Sequence, residues 1–270
     1  MTAAHDRDDV RNGQPLAGRT AVVTGATGGM GRAIVVALAG AGATVVATDL
    51  TDDGADDLLG LVDPSAEVQF LAGDVAKAED ISAVTAKALS ISGRLDCAVN
   101  AAAIEFETVP LADCADDDFD KVMSVNVRGV FLSMKHELRA ILGSAEARQG
   151  AVASIVNIAS TNAFRPQRDQ PAYTASKHAV LGLTRSGAME YAAHDVRVNA
   201  ICPGAIDTPM LRGAMERRGR DADDTASRLS MLSRFGEPSE IAAAALWLCS
   251  DASSFTTGHA LAVDGGMLAG

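Results

Sequence analysis

The chain has 270 residues, of which 48% are apolar and 4% aromatic, and its 23 Lys and Arg residues against 35 Asp and Glu give a formal net charge of −12. This composition is typical of a globular protein long enough for a substantial core, and it excludes disordered and fibrous chains. The acidic balance argues against nucleic-acid binding, and the Arg217–Arg218 pair, among acidic neighbours, is expected on a solvated helix face.

Membrane, metal and disulfide chemistry are also disfavoured. The longest apolar stretches, such as 241–249, are too short to cross a bilayer, and the first residues lack the apolar segment of a signal peptide. We therefore expect no membrane partner and a cytoplasmic location. The four cysteines are widely spaced without a C-x-x-C pair, which predicts reduced, buried thiols and no metal site.

After a polar segment over residues 1–15, predicted to be flexible, short runs rich in Val and Ile alternate with longer amphipathic stretches. This alternation predicts a Rossmann-type, doubly wound α/β fold: a seven-stranded parallel sheet with helices on both faces, in one domain over residues 16–270. The predicted strands are 20–24, 44–48, 68–72, 97–100, 154–158, 197–201 and 260–263. The predicted helices are 31–41, 52–62, 81–92, 117–142, 172–193 and 239–249, and the irregular stretch 207–237 is either a lid or a surface excursion.

The first predicted strand runs into a glycine-rich stretch, T-G-A-T-G-G-M-G over residues 24–31, and a helix follows at once. Glycines allow the backbone to turn sharply and approach a pyrophosphate, whose charge the helix N-terminus favours. Asp49 ends the second predicted strand, near the distance expected of a carboxylate that binds an adenosine ribose. The alternative for Asp49 is a cap for the acidic stretch that follows.

Asp49 also bears on the choice of cofactor. Its carboxylate would repel the 2′-phosphate of NADP, and Gly28 and Leu50 occupy the positions where a compensating cation would sit. The predicted cofactor is therefore NAD. Asp74 and Val75 follow the third predicted strand, where the carboxylate would accept the adenine amino group and the Val would pack on the ring. The alternative for Asp74 is an ordinary turn residue.

The most specific motif is Y-T-A-S-K over residues 173–177, preceded by Ser160 at the end of the fifth predicted strand. Tyr173 and Lys177, four residues apart, share one helix face. An ammonium beside a phenol stabilises the phenolate, which predicts a pKa of Tyr173 lowered toward neutrality and a general acid/base at a substrate hydroxyl. Ser160 is expected to hydrogen-bond the same substrate oxygen. The alternative, a surface Tyr–Lys pair, is disfavoured by the glycine loop upstream.

From residue 16 to 266 the chain resembles the compact, single-domain branch of the short-chain dehydrogenase/reductase family. The family's T-G-x-x-x-G-x-G motif matches residues 24–31, and its catalytic Ser, Tyr and Lys fall on Ser160, Tyr173 and Lys177. The resemblance implies that Asn126 positions a water linking Lys177 to solvent, and that Lys177 also holds the nicotinamide ribose. The cofactor contacts predicted from motifs and resemblance together are Gly25, Thr27, Gly29, Met30, Gly31, Asp49, Leu50, Asp74, Val75, Asn100, Tyr173, Lys177, Pro203, Gly204, Ile206 and Thr208.

One departure from the family is visible after the fourth predicted strand. The family commonly reads N-N-A-G there, whereas this chain has N-A-A-A over residues 100–103. Asn100 is retained, and the change removes polar support for the sheet without touching the chemical groups. We interpret it as a tolerated variant.

The predicted reaction is NAD-dependent interconversion of a secondary alcohol and a ketone, with Tyr173 as general acid/base. Arg165, Gln167 and Arg168 either recognise a carboxylate or diol or are solvated loop residues. The alternatives are a 3-oxoacyl carrier-protein reductase, a cis-dihydrodiol dehydrogenase and a non-catalytic dinucleotide sensor. The resemblance implies a homotetramer or dimer packed through helices 117–142 and 172–193. The predicted pocket walls, which favour a compact apolar or alicyclic substrate, are 102–104, Ala163, Phe164, Met210, Leu211 and Met215.

Overall fold

The computed structural model describes residues 13–148, 150–219 and 221–270, so most of the polar segment predicted at 1–15 lies outside the described residues. Its strands are β1 Thr20–Thr24, β2 Thr44–Thr48, β3 Val68–Phe70, β4 Cys97–Asn100, β5 Ala153–Ile158, β6 Val196–Pro203 and β7 Ala260–Val263. All seven are parallel and form one sheet in the order β3-β2-β1-β4-β5-β6-β7. The sheet grows outward in both directions from β1 and β4, which makes the gap beyond their carboxyl ends the topological switch point.

Helices cover both faces of this sheet. They are α1 Gly29–Gly40, α2 Ala55–Leu59, α3 Ala78–Ser92, α4 Asp116–Met123, α5 Val130–Gly143, α6 Pro171–Tyr191, α7 Pro209–Arg217, α8 Ala222–Leu229 and α9 Pro238–Cys249. Two separate apolar layers result: one packs α1 and α9 against the sheet, and the other packs α3, α5 and α6, with the central strands buried between them. The predicted Rossmann-type fold is confirmed.

Three predictions differ from the observed structure by more than a few residues at an element's ends. The second predicted helix, 52–62, shrinks to α2, and Gly54, with φ of 79°, delays its start. The long helix predicted over 117–142 is helical throughout, but its middle turn, Ser124–Gly129, is π-helical and separates α4 from α5. The stretch 207–237 is less irregular than predicted, since it contains α7 and α8. Within the described residues, no helix is long and apolar enough to cross a membrane.

Candidate active site

A cleft of about 740 Å³ opens at the topological switch point. Its walls come from the loops that follow β1, β2, β3 and β4, and from the first turn of α7. Residues at the carboxyl ends of neighbouring parallel strands meet here because the strands all point the same way. Ten of the predicted cofactor contacts line this cleft: Gly25, Thr27, Gly29, Met30, Gly31, Asp49, Leu50, Asp74, Val75 and Thr208.

The glycine loop is packed so closely that side chains would not fit. Gly25 has φ of 66°, and a Cβ added to it would lie 2.6 Å from the backbone nitrogen of Ala102. A Cβ on Gly31 would collide with the carbonyl of Gly25, and one on Gly29 would lie 2.8 Å from the Thr208 methyl carbon. The first residues of α1 line the cleft, and their N–H groups have neither an intrahelical partner nor a side-chain cap. This cradle fits the diphosphate of a dinucleotide.

Asp49 turns its carboxylate toward the glycine loop. Its Oδ2 accepts hydrogen bonds from the backbone N–H of Thr27 at 3.0 Å and the Thr27 hydroxyl at 2.7 Å, and its Oδ1 accepts from the N–H of Leu50 at 2.8 Å. It does not cap α2, whose N-cap is Gly54. Sequence reasoning missed the nearby cation Arg32, which donates to the Thr27 carbonyl at 3.4 Å but does not line the cleft.

Two further cofactor predictions meet a different local structure. Asp74 lines the cleft, but its Oδ1 also accepts from the N–H of Ala76 at 2.9 Å, so the turn alternative describes part of its role. Asn100 points away from the cleft, with its amide nitrogen donating to Glu137 at 3.1 Å and Asn157 at 3.0 Å. The alanines that follow Asn100 face the cleft instead.

A second, smaller cavity of about 120 Å³ adjoins the cleft and contains the Ser–Tyr pair. Met30, Thr208 and Met210 line both spaces, so the two are neighbours. Ser160 lies next to the Tyr173 side chain, close enough to lower the pKa of the phenol, and its own hydroxyl oxygen accepts from the backbone N–H of Asn162 at 3.1 Å. Besides Met30 and Thr208, five of the predicted catalytic and cofactor residues line this cavity: Ser160, Tyr173, Pro203, Gly204 and Ile206.

Lys177 is buried beneath this pair and lines neither space. Its Nζ lies 5.4 Å from the centre of the Tyr173 ring and donates to the carbonyl of Ile158 at 3.0 Å. Burial lowers the pKa of Lys177 to about 8. The predicted lowering of the Tyr173 pKa is wrong for this structure: burial raises it to about 12, and the neighbouring Ser160 hydroxyl offsets only part of that rise. The negative charge of Glu105 adds to the effect of burial, since both disfavour the phenolate.

Asn126 lies in the π-helical turn and is fully buried. Its Oδ1 accepts from the N–H of Ile104 at 2.8 Å, while its Nδ2 donates to the carbonyl of Ile104 at 3.0 Å and the hydroxyl of Ser176 at 3.1 Å. A π-turn widens a helix locally and redirects side chains, a feature frequent at functional sites. Here it lets Asn126 tie the loop after β4 to α6, the helix that carries Tyr173.

The walls of the smaller cavity match the prediction only in part. Its apolar side comes from α7 and α8, as expected for Met210, Leu211 and Met215, with Ala214 and Leu229 added. Residues 102–104 line the dinucleotide cleft instead, Ala163 is buried, and Phe164 is exposed. Arg165 donates to the carbonyls of Met267 and Gly270, and Arg168 is exposed outside the cavity, so of the three loop residues only Gln167 lines it.

A polar wall faces this apolar one, and sequence reasoning missed it. Asn162 donates to Gln170 at 2.9 Å, and Gln170 donates to Glu105 at 2.8 Å. Glu105 also pairs with Arg218 at 2.9 Å and Arg217 at 3.3 Å. The predicted solvated face for the arginine pair is therefore wrong for Arg218, whose side chain is 13% exposed.

Glu107 is a second buried carboxylate in the same loop, and it was also missed. It binds the first turn of α6, and its backbone carbonyl accepts from Arg218 at 2.8 Å. The one sequence signal was the alternation I-E-F-E over residues 104–107, a period-two pattern that puts both carboxylates on one side of an extended chain.

Comparison with known proteins extends the resemblance to nearly the whole chain. A family model described as enoyl-(acyl carrier protein) reductase matches residues 25–268. A short chain dehydrogenase/reductase, astE, of Aspergillus oryzae is 37% identical over 254 residues, covering 93% of this chain and 95% of its own. A 2,5-dichloro-2,5-cyclohexadiene-1,4-diol dehydrogenase of Sphingobium indicum is 39% identical, covering 94% and 98%.

Solved structures agree with this assignment. The crystal structure of levodione reductase superposes with a TM-score of 0.89 at 33% identity and covers 94% of this chain and 99% of that chain. A 3-ketoacyl-(acyl-carrier-protein) reductase from Brucella melitensis, complexed with NADH, superposes with a TM-score of 0.84 at 33% identity, covering 93% and 99%. The chain belongs to the short-chain dehydrogenase/reductase family.

Proposed function

We propose that this protein is an NAD(H)-dependent oxidoreductase that interconverts a secondary alcohol and a ketone, with Tyr173 as general acid/base. The observation that carries the proposal is the contact of Ser160 with Tyr173 in a small cavity that shares Met30 and Thr208 with the dinucleotide cleft. That arrangement supports a substrate oxygen next to the phenol and a reacting carbon toward the cleft.

The nicotinamide cofactor, when bound, supplies or accepts the hydride. The protein's residues manage the accompanying proton and the position of the substrate oxygen. With its pKa raised to about 12, Tyr173 is protonated at neutral pH, the state in which a phenol donates its proton to a ketone oxygen. In the reverse direction Tyr173 must first lose that proton, so alcohol oxidation is expected to speed up as pH rises.

Ser160 and Lys177 support the same step in different ways. The Ser160 hydroxyl is held by its own turn and is free to hydrogen-bond the substrate oxygen, which stabilises charge that develops there. Lys177 is fixed beside the phenol ring through the carbonyl of Ile158, and its Nζ, 5.4 Å from the ring centre, is close enough to favour a developing phenolate. We assign to it a hydrogen bond with the nicotinamide ribose.

NAD rather than NADP is proposed because of Asp49. Three hydrogen bonds fix its carboxylate at the edge of the cleft, where it would accept from ribose hydroxyls and repel a 2′-phosphate. Arg32, near the start of α1, donates to the Thr27 carbonyl and does not line the cleft. The NADH in the Brucella melitensis relative is compatible with this preference.

The proposed substrate is a small alicyclic alcohol or ketone. One cavity wall is apolar and the opposite wall carries amide, carboxylate and guanidinium groups, which suits a compact ring with an oxygen substituent. The relatives named for a cyclohexadiene diol and for levodione support a cyclic substrate.

A homo-oligomer, dimer or tetramer, is also proposed. Phe131 and Leu142 on α5 are exposed, and they border a groove of about 320 Å³ that Leu183 and Tyr191 of α6 also line. These helices are the ones expected to pack between subunits, and light scattering on the purified protein tests the assembly.

The deciding experiment is a panel of substrates, with turnover measured by the absorbance of the reduced nicotinamide. Cyclohexanol, cyclohexane-1,2-diol, cyclohexane-1,4-dione, a hydroxysteroid and a 3-oxoacyl thioester are each assayed with NAD(H) and with NADP(H). Turnover of cyclic alcohols or ketones with NAD(H) is expected. Preferred turnover of the thioester with NADPH would instead identify a 3-oxoacyl carrier-protein reductase, and NADH binding without turnover would identify a dinucleotide sensor.

A further inference from the structure

The first turn of α6, which carries Tyr173, lacks a cap from its own sequence. Gln170 at the N-cap makes no side-chain cap hydrogen bond, and Pro171 at the first helical position has no N–H to satisfy. The N–H groups of Ala172 and Tyr173 are left as donors in a region where Ala172 is fully buried. Buried donors of this kind require a partner from elsewhere in the chain.

Glu107 supplies that partner from the loop after β4. One carboxylate oxygen accepts from the N–H of Ala172 at 2.9 Å, and the other accepts from the N–H of Tyr173 at 2.7 Å. The side chain is 4% exposed, and its negative charge lies at the positive end of the helix dipole. Glu107 thus binds the backbone N–H of Tyr173, the proposed acid/base residue, although the two are 66 positions apart in the chain.

Glu107 is held in place on its other side. Arg218, at the end of α7, donates to its backbone carbonyl at 2.8 Å, and the same loop is tied through Ile104 to Asn126. Ser160 accepts from the N–H of Asn162 in its own turn, and Asn162 also donates to Gln170 at the N-cap of α6. The turn of Ser160 thus meets α6 at its N-cap, whereas Glu107 binds the backbone of Tyr173 itself and so sets where the phenol lies relative to Ser160.

We propose that Glu107 is a positioning residue for the reaction: its carboxylate sets the place of the Tyr173 phenol relative to Ser160 and the cofactor cleft. It acts through the helix backbone and does not line either cavity. The inference rests on the proposed function for its kinetic consequence, but its structural consequence is measurable without substrate.

The chain has two tyrosines, Tyr173 and Tyr191, so Tyr191→Phe leaves a single phenol. In that background, labelled with [¹³Cζ]tyrosine, NMR reports Tyr173 alone. Glu107→Gln keeps the size of the side chain but places an NH₂ group against one of the two N–H donors. We expect a shifted or split Tyr173 resonance, and a kcat about 10- to 100-fold lower on the best alcohol of the panel, with the NADH Kd and the alcohol KM changed less than about twofold.

Asp96→Asn is the matched control. Asp96 is another buried carboxylate that accepts from a backbone N–H, that of Thr20 at 2.9 Å, and it lies at the opposite end of the sheet. It should lower the thermal stability and leave the Tyr173 resonance and kcat unchanged. Glu107→Asp, which keeps two oxygens at shorter reach, should give an intermediate shift and rate, and it decides the matter if Glu107→Gln does not fold.

The proposal is overturned if a folded Glu107 variant keeps the reference resonance and kcat, or if Asp96→Asn reproduces its effects. It is also overturned if NADH binding weakens in proportion to kcat. If the reference protein oxidises or reduces nothing in the panel, the proposed function fails, and the Tyr173 resonance still decides whether Glu107 positions the phenol.

Discussion

The two spaces of the site are built in different ways. The larger cleft, assigned to the dinucleotide, is made mainly from loops that follow consecutive strands, and nine of its 22 lining residues are glycines or alanines. The smaller cavity is closed by side chains that meet from far apart in the chain: Gln170 and Glu105 are separated by 65 positions, and Arg218 and Glu105 by 113. The first kind of site follows from the fold, whereas the second depends on a few polar contacts and can change without altering the fold.

Because the two spaces are built separately, a substitution in the smaller cavity should lower turnover without weakening NADH binding. The effect should be largest at Tyr173. Tyr173→Phe removes the hydroxyl to which we assign the proton exchange but leaves the ring and the cleft in place. We expect turnover to fall by roughly 10²- to 10⁴-fold while NADH affinity stays within about threefold, measured by steady-state kinetics and fluorescence titration. Tyr191→Phe is the control, and near-normal turnover of Tyr173→Phe would remove the assigned acid/base.

Glu137 is a buried carboxylate that lines neither the larger cleft nor the smaller cavity. Burial raises its pKa to about 8, with an opposing effect from the Asn100 hydrogen bond. Its Oε1 and the Oδ1 of Asn100 are both buried without a hydrogen-bond partner, so the pair has one acceptor too many while Glu137 is ionised. A proton on Glu137, or an amide in its place, adds the missing donor.

The sign of the pH dependence follows from this raised pKa. The unfolded carboxyl titrates near 4.5, so the stability contributed by protonated Glu137 is complete below that pH and is lost as pH rises through about 8. Glu137→Gln should flatten this loss and be more stable than wild type at pH 8 by an amount on the order of a few kcal/mol. Urea unfolding at pH 5, 7 and 9 measures it, with the exposed Glu190→Gln as control. Parallel stability profiles for wild type and Glu137→Gln would contradict the assignment.

What the sequence predicts well is local in the chain or repeated by the fold. The glycine loop, Asp49 and the Tyr173–Lys177 spacing are readable because short-range geometry places them: a turn, a strand end and one helix face. The direction of the Tyr173 pKa was not readable, since spacing gives proximity to Lys177 but not the burial that dominates. Glu105 and Glu107 were missed because their partners at α6 and α7 lie far away in the sequence. Tyr173 is 66 positions from Glu107 and Arg218 is 113 positions from Glu105, farther than any local sequence pattern extends.

In the larger cleft, Asp49 is the residue expected to decide between NADH and NADPH. Asp49→Ala removes the carboxylate that would repel a 2′-phosphate and also its two bonds from Thr27. The ratio of kcat/KM with NADPH to that with NADH should rise by about 10-fold or more, while the ranking of alcohols stays the same. The exposed Asp53→Ala, on the same loop, serves as control. An unchanged cofactor ratio would mean that Asp49 does not face the ribose.

Substitution of Glu105 should have the smallest effect, and it should change the alcohol KM instead of the cofactor preference. Its carboxylate, 5% exposed, joins the end of α7 to the loop after β4 through Arg217 and Arg218 and so keeps the apolar wall over the cavity. Glu105→Gln retains an acceptor for Gln170 but loses the charge, so we expect the alcohol KM to rise about 3- to 10-fold at an unchanged NADH Kd. Asp207→Asn is the matched control. Asp207 forms an ion pair at the surface with Arg212 of α7, and among the hydrogen bonds of the described residues its side chain has no other partner. Equal KM values for Glu105→Gln and Asp207→Asn would mean that the cavity wall stands without the ion pairs, and that α7 is held by its apolar contacts alone.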